Sequence, residues 1–167
     1  MSIRIERAHA RDLTKVKRLW KAMIGDYQQL SDGLWEVREP GEAWARRHQQ
    51  YLDWINDAGG VVFLALDTDT EEIIGYAALH FVLSGATFDL GESYGEIETL
   101  AVLPTERGRG VGAALINACR RELDRREVEY MALETLASNT GALRLYERAG
   151  FQPFMVRLVR RVNDDES

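Results

Sequence analysis

The order of apolar and polar residues changes period several times along this chain, and each change marks an element. Ile3-Arg4-Ile5-Glu6 alternates by two, which predicts a short strand. Leu13, Val16, Trp20, Met23 and Ile24 then recur at helical spacing behind Asp12, a residue suited to cap a helix start. Pro40 fits the first turn of a second helix, whose Trp44, His48, Tyr51, Leu52 and Ile55 share one face. Gly59-Gly60 ends it, and the continuous run Val61-Val62-Phe63-Leu64-Ala65-Leu66 reads as a buried strand. The acidic stretch from Asp67 to Glu72 turns the chain into a longer strand from Ile73 to Leu83, which predicts an antiparallel pair. A further strand runs from Tyr94 to Leu103 and stops at Pro104.

Beyond that proline the type alternates. A helix from Gly110 to Arg126 places Val111, Ala114, Leu115, Ala118 and Leu123 on one face. Tyr130 to Glu134 is strand-like, Asn139 to Ala149 is helical and stopped by Gly150, and a last strand is predicted from Phe151 towards Val162. An antiparallel first half feeding a βαβ unit predicts an α/β (α+β) fold with a mixed sheet. Ligands favour the place where strand pairing changes in such a sheet.

Composition narrows the classes. The chain has 167 residues, 46% apolar and 29% charged, which suits one domain over residues 1–162 followed by an acidic tail at 163–167. A net charge of −6 argues against a general nucleic-acid binder. No apolar run is long enough for a membrane span and no secretory pattern opens the chain, so the expected setting is cytoplasmic. Cys119 is the single cysteine and sits in an apolar helical stretch, where it reads as a small buried residue. His9, His48 and His80 have no metal-ligand spacing, so no metal is expected. For His80 a surface or core place is the simpler expectation than a lining position in an acceptor pocket. Trp35, in the loop after the first helix, is a candidate cover for that pocket.

The densest chemistry lies in Arg107-Gly108-Arg109-Gly110-Val111-Gly112. A strand, a proline stop, alternating glycines and an amphipathic helix follow one another here. Glycines let backbone approach a ligand closely, and a helix start offers unpaired N–H groups to an anion. Two arginines add positive charge, and a pyrophosphate fits best. The loop lacks the Gly-Lys-Ser/Thr ending of a Walker loop. Gly108, Gly110 and Ala113 satisfy the dinucleotide pattern, but too little chain follows to supply its parallel strands.

With these residues in place the sequence resembles the GNAT superfamily of acetyl-CoA-dependent N-acetyltransferases. The family's loop Arg/Gln-x-x-Gly-x-Gly/Ala is matched by Arg107, Gly110 and Gly112. Its next landmark is matched by Asn139, Ala142, Leu145-Tyr146-Glu147 and Gly150-Phe151. The resemblance covers roughly Tyr94 to Phe151 and implies a splayed, mostly antiparallel sheet holding acetyl-pantetheine between two parting strands. It implies that Leu100, Ala101 and Val102 bind the pantetheine arm through backbone. It also implies that the N–H groups of Arg107, Gly108, Arg109, Gly110, Val111 and Gly112 bind pyrophosphate, with Asn139, Ala142 and Tyr146 near the cofactor. The acceptor is then an amine of a small molecule or peptide, and homodimers are common in the family.

Acetyl transfer to an amine needs a base, an oxyanion donor and a donor for the departing thiolate. Tyr146 is the candidate acid on the strength of its Leu-Tyr-Glu context; by spacing alone it is a core aromatic. Glu96, Glu98, Leu100 and Val102 fall on one strand face by the period of two, and the two carboxylates are expected to raise each other's pKa and act as base through water. Glu98 is the preferred member, and a solvated strand end is the competing reading of the pair. The Val102 N–H is placed to polarise the thioester carbonyl. A catalytically inactive acyl-CoA sensor is the alternative from another class, and Tyr146 with the Glu96/Glu98 pair favours the enzyme.

Overall fold

A computed structural model describes residues 2–163, so Met1 and most of the acidic tail lie outside the described residues. Strand β1 (Ile3–Arg7) leads into a 3-10 turn at Ala10–Val16, which runs into helix α1 (Lys17–Leu30). Asp12 supports this start from inside the first turn, its carboxylate accepting the His9 N–H at 3.0 Å. Helix α2 (Pro40–Asp57) begins with Pro40 in its first turn, and Glu39 caps it by accepting from the Gly41 and Glu42 N–H groups.

Strands β2 (Val61–Asp67), β3 (Ile73–Leu83) and β4 (Ser93–Val102) follow. Helix α3 (Val111–Arg125), strand β5 (Met131–Leu133) and helix α4 (Thr140–Arg148) complete the fold. The sheet runs β1-β2-β3-β4-β5 in chain order. Its first four strands are antiparallel, and β5 joins β4 in parallel after the α3 crossover. Among the described residues there is one parallel pair, which does not build a doubly wound dinucleotide sheet, so that rival reading falls on topology.

Two apolar layers clothe the sheet. On one face Leu13, Val16, Trp20 and Ile24 join Trp44 and Tyr51 against Val62, Leu64, Tyr76 and Ala78. On the other, Val111, Leu115, Ala118, Cys119 and Leu123 of α3 pack on Val61, Phe63, Ala77, Leu79 and Ile97. Cys119 is fully buried, and burial pushes its thiol up to about 12, so it is inert as expected. His48 stacks on Trp44 at 5.4 Å within the α2 face. Among the described residues no helix is long and apolar enough to cross a membrane.

The expected last strand does not form. Residues 151–161 have no regular structure, and Phe154, Met155, Val156, Leu158 and Val162 stand exposed. A strand exists only by pairing, and β5 offers just Met131–Leu133; the segment meets the residue after it through Arg157 and Glu134 at 3.6 Å.

Candidate active site

The site is made where β4 loses its neighbour. Strand β5 pairs with Gly95, Glu96 and Ile97, so among the described residues β4 from Glu98 to Val102 has no strand partner on that side. At the same point β4 carries a bulge: Leu79 pairs with Ile97 and Ala78 with Thr99, leaving Glu98 as the extra residue. The bulge corrects the expected common face. Glu96 and Glu98 do face α2, but Leu100 and Val102 pack on the α3 side, while Thr99 and Ala101 take up the α2 side. One inserted residue has shifted the phase of everything after it.

Three elements converge on the two carboxylates. From β3, His80 sets Nε2 3.2 Å from Glu96 and 3.2 Å from Glu98. From α2, Arg47 donates to Glu98 at 2.8 Å, and Trp54 stacks on the His80 ring at 4.1 Å with an interplanar angle of 6°. The expected mutual rise in carboxylate pKa is therefore reversed. The His80 hydrogen bond lowers Glu98 to about 2 against the opposing effect of burial, with the Arg47 charge adding to the drop. Burial pulls His80 down, but its bonds to Glu96 and Glu98 and their charges outweigh this and lift it to about 9. Cations have come between the like charges. The three side chains lie close enough to share an ion, within 4.8 Å of one another. Arg47 already occupies Glu98, and a ligating imidazole would first have to shed its proton.

Beneath the bulge, the buried Tyr51 hydroxyl bonds Thr99 Oγ1 at 2.5 Å and the Tyr76 hydroxyl at 3.0 Å, tying β4 to α2 and β3. Tyr27 of α1 lies within electrostatic reach of Arg47 and Glu98, and also of Tyr146. It links the carboxylate cluster to α4. Tyr146 packs edge-on to Phe151 at 6.0 Å, and burial, with Tyr27 adding, pushes its phenol up to about 12. It stays protonated at neutral pH.

After β4, residues 104–106 form a 3-10 turn and the glycine loop follows. Gly108 and Gly110 both have positive φ, at 77° and 84°, and Gly110 is the cap residue of α3. A Cβ on either would meet nothing within 4 Å, so the space above them is open. Arg107 pairs with Asp26 at 3.2 Å and Arg109 with Glu106 at 2.6 Å, both at the surface. Gly112 has a different reason: a Cβ there would come within 2.8 Å of Leu145, so its absence lets α4 close on α3. Asn139 caps α4 through its side-chain oxygen, which accepts the Ala142 N–H at 3.2 Å.

The structure thus brings Glu96 and Glu98 into one cluster and puts the loop at the foot of the gap beside Leu100, Ala101 and Val102. Trp35 is exposed. Sequence reading missed Arg47, Trp54, Tyr27 and Thr99. Only the helical spacing of Arg47, Tyr51 and Trp54 in α2 hinted that they share a side, and nothing local said which strand they meet.

Comparison with known proteins gives the family. The Acetyltransferase (GNAT) family matches residues 27–151. A mycothiol acetyltransferase from Thermobispora bispora is 34% identical over 129 residues, covering 77% of this chain but 40% of that protein. The chain therefore spans about two fifths of that relative's length. In fold, a GCN5-related N-acetyltransferase from Ralstonia eutropha aligns with TM-score 0.75 at 18% identity, over 96% of this chain and 99% of that one. The structure of AAC(6')-Iy in complex with the bisubstrate analog CoA-S-monomethyl-acetylneamine aligns with TM-score 0.71 at 21% identity, over 96% and 98%. The open β4 edge, the glycine-capped helix beside it and a family match over most of the chain agree, and the chain belongs to the GNAT acetyltransferase family.

Proposed function

We propose that the protein moves an acetyl group from acetyl-CoA directly to a primary amine of a small molecule or peptide. The observation that carries this reading is the parting of β4 from β5 after Ile97, with the positive-φ Gly110 opening α3 beside it. An extended thioester arm fits the unpaired edge from Leu100 to Val102, and the Val102 N–H is the proposed donor to its carbonyl. A pyrophosphate fits the N–H groups from Arg107 to Gly112, which face the positive end of the α3 dipole. Asn139, whose side chain caps α4, and Ala142 are the proposed cofactor contacts from that helix. No metal has a part in the proposed reaction.

On the acceptor side, Glu96 and Glu98 receive the amine, and Tyr146 donates to the departing sulfur. A phenol held at about 12 gives its proton to a thiolate only as the attacking nitrogen replaces it. A sensor that binds acetyl-CoA without turnover shares the loop but has no use for the charged cluster, which favours the enzyme. AAC(6')-Iy, bound to a CoA–neamine conjugate, sets a precedent for an amine acceptor in this fold.

Calorimetric titration with acetyl-CoA, NAD and the Gly110→Asp variant tests the cofactor assignment. Saturable acetyl-CoA binding that the variant loses is expected; tighter binding of NAD sinks it. An amine panel followed by free-thiol release then separates enzyme from sensor.

A further inference from the structure

The proposed reaction leaves a proton without a destination. An amine with an ordinary pKa reaches the site as an ammonium ion and must lose a proton before it attacks. Glu98, bonded to His80 and Arg47, is too weak a base to keep that proton near neutral pH. Among the described residues the group of the cluster that can hold one is His80. Its Nε2 sits between the two carboxylates, and its ring is pinned flat on Trp54. The carboxylates are the more exposed partners: His80 is 14% exposed against 22% for Glu96 and 27% for Glu98. An arriving amine meets carboxylate first, with imidazole behind it.

We propose that His80 is the proton sink of the acceptor site, reached through Glu96 and Glu98; this rests on the amine-acetylation reading above. In the resting site Glu96 and Glu98 from β4 face an imidazolium on β3 and the Arg47 guanidinium on α2. Tyr94 lies within electrostatic reach of Glu96, and Tyr27 and Tyr51 within that of Glu98. An ammonium ion arriving at the carboxylates adds a further positive charge and drives the His80 proton into water. Neutral Nε2 then takes one proton from the ammonium by way of a carboxylate, leaving a lone pair on nitrogen. The C–N bond forms as the C–S bond breaks. Sulfur takes the Tyr146 proton, and the tyrosinate recovers the second proton of the nitrogen. His80 is a positioning and relay residue, since it works through the carboxylates. Its stack on Trp54 keeps Nε2 aimed at both.

His80→Gln tests this, because its amide can still donate to the carboxylates but cannot take up a proton. Melting temperature and acetyl-CoA affinity report that the variant is folded and loaded. With an amine that the wild type acetylates, kcat is expected to fall at least tenfold with KM for acetyl-CoA unchanged. The ionisation that His80 contributes to the pH–rate profile disappears with it. In parallel, NMR titration of the imidazole protons, assigned by the loss of one set in His80→Gln, is expected to find His80 titrating near pH 9. Glu96→Gln brings that titration down. Wild-type kcat and pH profile in His80→Gln, or an imidazole titrating near 6.5 and indifferent to Glu96→Gln, overturns the proposal. A wild type that binds acetyl-CoA and acetylates nothing in the panel fails the enzymatic reading instead, and the NMR titration then decides the role of His80 alone.

Discussion

At the scale of single residues, the site is governed by who stands next to whom. Tyr51 shows it well. Its hydroxyl is buried between Thr99 and Tyr76, so Tyr51→Phe leaves the Thr99 hydroxyl short of a partner and is expected to cost about 1–2 kcal/mol in urea denaturation. Tyr146 makes the opposite prediction. Its ring packs beside Phe151 and its value of about 12 keeps it protonated, so Tyr146→Phe is expected to keep acetyl-CoA binding and lower kcat about a hundredfold in thiol-release assays. Glu96 and Glu98 were legible as a pair from their spacing, and the loop from Arg107 to Gly112 from its glycines. Arg47 and Trp54 were not, because their meeting with β4 is a matter of tertiary packing across 51 positions in the case of Arg47 and Glu98. The second cation that lowers Glu98, after His80, came from there.

At the scale of elements, periodicity located helices α1 to α4 and strands β1 to β5, and it failed where a partner decides the outcome. Segment 151–161, expected as a strand, forms none, and β5 is three residues long. Its Phe154, Met155, Val156 and Leu158 stay 73–88% exposed, and β5 is the last strand of the sheet among the described residues. A second copy contributing the same segment would supply the missing ladder. Sedimentation equilibrium is expected to show a dimer that removal of residues 154–167 dissociates; a monomer at all concentrations contradicts this. The glycine cap of α3 is a second element-scale case. Gly110→Ala forces a side chain into positive φ, with an expected loss of about 1 kcal/mol even though nothing obstructs the new Cβ.

At the scale of the whole molecule, charged groups on both faces of the sheet set a pH window for stability. Burial opposes ionisation of Glu122, but hydrogen bonds from Arg125, Arg7 and Arg126 overcome it and bring it to about 2, alongside Glu98 at about 2. Both lie below the unfolded value of 4.5, so their stabilisation is present above that pH and is lost as pH falls towards 2. His80, raised from 6.5 to about 9, works the other way: its contribution is full below 6.5 and is lost as pH rises through 9. Urea midpoints are therefore expected to be highest between pH 4.5 and 6.5 and to decline on both sides, with the decline between pH 6.5 and 9 absent in His80→Gln. The bulge in β4 has one more consequence, and it concerns heredity. Glu96 and Ile97 before it, and Thr99 to Val102 after it, occupy the faces that an unbroken alternation would give them once Glu98 is removed. An in-frame loss of codon 98 would therefore close the ladder without reassigning a single core position, so a lineage can acquire or discard this carboxylate in one mutational event while the rest of its sheet goes unrevised.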